Sequence, residues 1–214
     1  MNNRNKKTLG LVQVALFTAI IFVLAMVPGL GYIPLGVIRA TTIHIPVIVA
    51  SLVLGPKKGA LLGGMFGFTS LINNTITPTV TSFVFSPILA VEMSGIKGAM
   101  MSLVICFVPR ILIGIVPYYV YGGIRKWMKK GKTSQVVALG VAGVAGSLTN
   151  TLLVMNLIYF FFGEQYALAK EMAYEALYGS ILVIIGTNGV PEAIVAAVLV
   201  VAIGQVFIKS KMLR

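Results

Sequence analysis

Six apolar stretches, at about 9–27, 37–54, 60–72, 98–124, 136–162 and 180–208, alternate with short polar or cationic strings along the chain. A helix needs about 20 residues to cross the hydrocarbon of a bilayer. The third stretch falls short of that, and the second reaches it only by starting inside the preceding loop. A re-entrant hairpin built from these two would carry Lys57 and Lys58 to a buried tip, which is costly without partners. The pattern therefore predicts two complete, tilted spans there. It predicts a single all-α domain over 1–214, an integral membrane bundle of six transmembrane helices.

Composition agrees. The chain is 58% hydrophobic and 10% charged, with a mean hydropathy of +0.98. So few charges cannot cover a water-facing surface, so lipid is the solvent for most of it. There is no aspartate, and 17 basic residues against five glutamates give a formal charge of +12. On a soluble protein that excess would point to nucleic acid, but the chain offers no polar surface for a groove or a stacking platform.

The cations instead sit between the apolar runs. Arg4, Lys6 and Lys7 precede the first run, and Lys57 and Lys58 join the second to the third. Arg125, Lys126, Lys129, Lys130 and Lys132 join the fourth to the fifth, and Lys209, Lys211 and Arg214 follow the sixth. Six spans put all of these on one side, which the positive-inside rule makes cytoplasmic, together with both termini. The opposite loops hold only Arg39, Lys97 and Lys170 against Glu92, Glu164, Glu171 and Glu175. The basic start of the chain resembles a signal peptide, but the run at 9–27 is too long for a signal core and reads as the first span. Three loops then face outward, at 29–40, 73–97 and 163–179. The second mixes Thr, Ser, Asn and Pro with Phe83, Val84 and Phe85, a composition suited to folding over a site.

Several chemistries fail for want of residues. His44 is the only histidine, so a two-histidine zinc centre is impossible and no metal site is expected. No G-x-S-x-G elbow occurs, and a carboxylate-relayed triad would have to borrow a glutamate. Gly131-Lys132-Thr133 resembles the end of a phosphate-binding loop, but Lys126 stands where that loop needs glycine. No catalytic residue and no cofactor is expected, and ATP is not hydrolysed by that route. Cys106, the lone cysteine, reads as a small buried hydrophobe.

The remaining candidates are polar residues within or at the ends of spans. Arg110, just after Pro109, must face a cavity, a partner charge or backbone carbonyls. Glu192, just after Pro191, is the candidate partner. Asn150, Asn156 and Asn188 either bridge helices or line a ligand cavity. The string 186–192 favours the cavity, because its glycines and proline free backbone groups that need partners. Arg39 and His44 flank the start of the second span and could meet an anion or a lipid headgroup. Phe83, Tyr118 and Tyr121 could supply stacking. Ala15 and Ala19 form a small-xxx-small pair that lets another helix approach. Gly140, Gly143 and Ser147 make a similar ridge suited to internal packing. No internal repeat supports an inverted-repeat carrier.

The stretches 43–46, 54–60, 63–74, 81–87 and 109–114 (Ile43-His44-Ile45-Pro46 and Pro109-Arg110-Ile111-Leu112-Ile113-Gly114 at the two ends) resemble, in order and spacing, the substrate-binding (S) components of energy-coupling factor (ECF) transporters. The likeness covers nearly the whole chain. It implies a six-helix fold in the bacterial plasma membrane that binds a vitamin tightly beneath outer loops. It also implies docking on a transmembrane coupling protein (EcfT) that carries two ATPases (EcfA and EcfA′). In such proteins an alanine-xxx-alanine pair on the first helix contacts the coupling protein, which Ala15 and Ala19 match. The segment 77–87 looks most like pantothenate-specific members. Pantothenate, with a carboxylate, an amide and two hydroxyls, suits one arginine among asparagines and threonines. The candidate ligand residues, read from their own chemistry and placement, are Arg39, His44, Asn74, Phe83, Arg110, Tyr118, Asn150, Asn156, Asn188 and Glu192. Pyridoxine, hydroxymethyl pyrimidine and riboflavin stay open as ligands, and a stand-alone secondary carrier stays open as a mechanism.

Overall fold

The computed structural model describes residues 3–27, 29–35, 38–128 and 131–210, with side chains for all of these except 3–6 and 32–40. Of the cationic flanks, Lys129, Lys130, Lys211 and Arg214 lie outside the described residues, as do the side chains of Arg4 and Lys6. In chain order the elements are α1 (Asn3–Met26), β1 (Tyr32–Leu35), β2 (Ile38–Thr41), α2 (His44–Leu54) and α3 (Pro56–Ile76). After a 3-10 turn at Ser82–Val84 come α4 (Pro87–Ile113), α5 (Val116–Trp127), α6 (Lys132–Ala169) and α7 (Tyr174–Ile184). A π-helical turn at Ile185–Gly189 leads into α8 (Val190–Lys209).

The protein is thus almost wholly helical among the described residues, with one antiparallel hairpin that the all-α reading did not foresee. Among the described residues, four stretches are long and apolar enough to cross a membrane: Lys7–Met26, Pro87–Trp127, Lys132–Ala169 and Tyr174–Lys209. The second apolar run differs from its reading, because residues 38–41 form a strand and α2 starts only at His44. With 11 residues, α2 is about 16 Å long at 1.5 Å per residue. The third run extends the other way, since α3 has 21 residues and therefore about 31 Å.

Short as it is, α2 holds the centre. It packs against α1, α3, α4, α5, α6 and α8, and eight of its side chains, from His44 to Leu52, are buried. A helix apolar on every side is stable only when enclosed in this way. Gly55, at φ 89° and ψ 168°, takes a conformation that side-chain-bearing residues avoid and lets the chain reverse into α3 within one residue.

A ridge of glycines seats α3 on α4. A Cβ added at Gly59 would strike the Gly114 carbonyl, at Gly63 the Arg110 carbonyl, and at Gly67 the Cys106 carbonyl. Three glycines at intervals of four thus bring two backbones into direct contact, the geometry small residues permit between membrane helices. On the far side α6 meets α8, where a Cβ on Gly143 would lie 2.9 Å from the Ala196 carbonyl oxygen. Gly143 and the buried Ser147 therefore act in internal packing, as the sequence suggested. Cys106 is buried, and its Sγ donates to the Phe85 carbonyl at 3.0 Å.

Polar side chains tie down the segment between α3 and α4. Ser82 Oγ donates to Asn74 Oδ1 at 2.9 Å, Thr79 N–H donates to Ser82 Oγ at 2.9 Å, and the Thr75 and Ser86 hydroxyls share a bond of 2.8 Å. Beneath them Phe83 meets Phe162 edge to face, ring centres 5.6 Å apart.

Candidate functional site

Three parts of the bundle turn stripes that mix polar and apolar residues toward one another. On α3 the stripe is Phe66, Ser70, Asn73 and Asn74, continued by Thr77 just past its end, on α6 it is Asn150, Thr151, Val154, Met155 and Ile158, and along α7, the π-helical turn and α8 it is Ile184, Asn188 and Glu192. Each follows the three-and-four spacing that keeps side chains on one helix face. Together with Arg110, Phe85, Tyr166, Gly29 and Thr41, they line a cavity of about 930 Å³.

Arg110 is 6% exposed, and the local sequence explains how a guanidinium is held at that depth. Pro109 has no N–H, so the carbonyl of Ile105 loses its helical donor. Arg110 Nη1 donates to that carbonyl at 2.6 Å, and the helix defect is repaired by the side chain next in sequence. The guanidinium also lies 5.1 Å from the Phe85 ring centre and 5.6 Å from that of Phe66, within cation–π range. Fixed by these contacts, it still borders the cavity.

Glu192, 8% exposed, accepts the Thr41 N–H at Oε1 over 2.8 Å. This bond joins the carboxylate to the hairpin backbone, and Glu192 and Arg110, the partner expected from sequence, line the same cavity. Asn74 bridges two elements, donating to the Ser70 carbonyl at 2.8 Å and accepting from Ser82. Asn188 sits in the π turn and accepts from Thr187 Oγ1 at 3.3 Å. Asn150 Oδ1 is buried with no hydrogen-bond partner among the described residues, so an incoming N–H or O–H would find an acceptor there.

Of the ten ligand candidates read from the sequence, the structure gathers Asn74, Arg110, Asn150, Asn188 and Glu192 at the cavity. Four others are placed elsewhere. His44 is 1% exposed at the start of α2, enclosed with the apolar core. Phe83 is buried in a second apolar cluster with Ile158 and Phe162, behind the cavity wall. Tyr118 lies on α5 against Tyr119. Asn156 falls one position past the α6 stripe, and its amide donates to the Leu152 carbonyl at 2.8 Å. Arg39 belongs to β2, opposite Pro34, and its side chain lies outside the described residues.

Sequence reading missed Phe66, Phe85 and Tyr166, whose composition resembles any core position, and Ser70, Asn73 and Thr151. The α3 group was open to detection: Ser70, Asn73, Asn74 and Thr77 are polar at helical spacing in an otherwise apolar run. Chemically, the cavity offers one fixed cation, one carboxylate already engaged by a backbone N–H, several amides and hydroxyls, and aromatic and aliphatic walls. That set suits a small anion carrying hydroxyl or amide groups.

Residues 10–204 match the family model described as ECF transporter, substrate-specific component. The chain is 39% identical over 174 residues to the "Pantothenic acid transporter PanT" of Lactococcus lactis subsp. cremoris (strain MG1363), covering 81% of this chain and 80% of the relative. It is 31% identical over 211 residues to the "Pantothenate transporter PanT" of Leuconostoc mesenteroides subsp. mesenteroides, covering 95% of this chain and 94% of that one.

Proposed function

We propose, from the premise that this chain belongs to the ECF transporter substrate-specific component family, that it captures pantothenate in the cavity described above and hands it to an ECF module. A multi-pass membrane protein of this family serves a vitamin as a transport subunit, not as an enzyme. The observation that carries the ligand assignment is a fixed, buried guanidinium at the wall of a cavity that also presents amides, hydroxyls, aromatic rings and aliphatic side chains. Arg110 takes the pantothenate carboxylate, whose two oxygens match the guanidinium fork. Asn150 accepts from the ligand's amide or a hydroxyl, and Asn74 and Asn188 complete the polar set. The two relatives named for pantothenate support the same ligand. Native mass spectrometry of the purified chain with equimolar pantothenate, pyridoxine, hydroxymethyl pyrimidine and riboflavin should show the pantothenate adduct alone. Retention of a different vitamin would reject the assignment.

The reading extends to topology. Six rods, namely α1, α2, α3, α4 with α5, α6, and α7 with α8, form one transmembrane domain with both ends in the cytoplasm. The cationic flanks support this orientation, and the hairpin, joined to the short α2, completes the second crossing.

It extends also to the coupling protein and its two ATPases. Ala15 and Ala19 are exposed on α1, within a run of exposed Leu11, Val12, Leu16, Ile20 and Val23. In the most hydropathic window of α1 only 17% of residues are buried, so this face is free to meet another helix at close range. Ala15→Trp and Ala19→Trp should abolish ATP-dependent uptake in vesicles holding the complete transporter, while calorimetric binding of pantothenate stays at its original affinity. An equal loss of binding would remove the docking role.

A further inference from the structure

The hairpin between α1 and α2 carries an unusual fastening. Its register pairs Tyr32 with Thr41, Ile33 with Ala40, Pro34 with Arg39 and Leu35 with Ile38. In an antiparallel ladder, pairs that exchange hydrogen bonds alternate with pairs that do not. Pro34 has no N–H to exchange, so its pair falls at a non-bonded position. Tyr32 and Thr41, two residues along, share that parity. The Thr42 N–H donating to the Gly31 carbonyl at 3.0 Å confirms the alternation. The N–H of Thr41 therefore points out of the ladder and needs a partner elsewhere. It donates to Glu192 Oε1, 151 residues away in sequence, at 2.8 Å.

Both ends of this bond belong to the cavity wall, since Gly29 and Thr41 line it from the hairpin side and Asn188 and Glu192 from α8 and the turn before it. Glu192 is also the one carboxylate among the lining residues. An anionic ligand on Arg110 would be repelled by a second carboxylate in a confined, poorly solvated space. The glutamate is thus unsuited to hold the ligand's acid group and suited to hold the backbone donor it already meets. A hairpin of two four-residue strands has little stability of its own, so an anchor at its base decides where it rests.

We infer that Glu192 is a positioning residue that pins the first hairpin to α8, closing the cavity wall over a bound anion and setting that anion's rate of escape. The inference rests on the cavity being the pantothenate site.

The test uses the full-length chain in nanodiscs. Glu192→Ala removes the acceptor, Thr41→Pro removes the donor without touching the carboxylate, and Glu192→Gln keeps an acceptor oxygen. Without ligand, hydrogen exchange over residues 29–42 should accelerate in the first two variants and stay near the parent rate in the third. The pantothenate dissociation rate should rise about tenfold or more in Glu192→Ala and Thr41→Pro, with association little changed. The double variant should release ligand no faster than either single one, because both break the same bond. Unaltered exchange in Glu192→Ala would overturn the inference. So would a glutamine variant as defective as the alanine one, or additive effects in the double. Should Glu192→Ala fail to fold, Thr41→Pro and Glu192→Gln still decide the matter. Because exchange is read without ligand, a parent chain that binds no pantothenate would reject the ligand assignment and leave the pinning to be judged by exchange alone.

Discussion

Replacing Arg110 with glutamine should lower pantothenate affinity on the order of 100-fold, which is about 3 kcal/mol. The size follows from the setting. The guanidinium is 6% exposed, and a carboxylate brought there exchanges its hydration shell for a charged partner. Without that partner the ligand's charge stays buried and uncompensated. Because Arg110 also repairs the helix at the Ile105 carbonyl, some thermal stability should be lost as well, and melting of the ligand-free variant measures that share separately. Arg110→Lys keeps the charge but not the planar fork, so it should recover only part of the affinity. Calorimetric affinity within threefold of the parent for the glutamine variant would remove Arg110 from the ligand.

The other large effect belongs to a residue that never touches the cavity. Gly63→Leu should cost about 3 kcal/mol of stability or more, since overpacking that moves backbone lies at the upper end of its range. A Cβ at this position meets the Arg110 carbonyl and the Ile111 backbone, and neither is the movable end of a side chain. The helices must separate, and Arg110 shifts with them, so ligand binding should fall in parallel. Gly64 is the internal control. Nothing lies within 4 Å of a Cβ placed there, and leucine is a better helix former than glycine, so Gly64→Leu should melt at or slightly above the parent temperature. Equal melting temperatures for the two variants would contradict the close α3–α4 contact.

The contrast between these neighbouring glycines shows what a sequence conveys and what it withholds. Apolar runs and cationic flanks mark helical rods, because lipid admits few alternatives. Polar residues inside such runs mark a cavity, because they need a reason to be there. Arg110, Asn150, Asn188 and Glu192 were legible on that ground. Rotational phase was not. Asn156 carries the same amide as Asn150 but lies one position past the α6 stripe. His44 begins α2 and, lying in the interior of the bundle, goes to the core. The hairpin was hidden for a different reason: residues 38–43 are apolar enough to pass for the start of a span. The strand at 38–41 exists by pairing with 32–35, a contact no local pattern announces. The glycine ridge at 59, 63 and 67 was readable by the same small-residue rule applied to α1 and α6, but its partner helix was not.

That ridge has a bearing on motion. Two helices whose main chains touch at three successive turns leave little slack for side chains to repack between them, so α3 and the part of α4 beyond its break at Ser94–Gly95 are expected to travel together as a girder. Arg110 and Asn74 are both rooted in it, so the packing holds the backbones that carry them at a set spacing. Whatever rearranges when a vitamin arrives must therefore be drawn from the elements outside that girder.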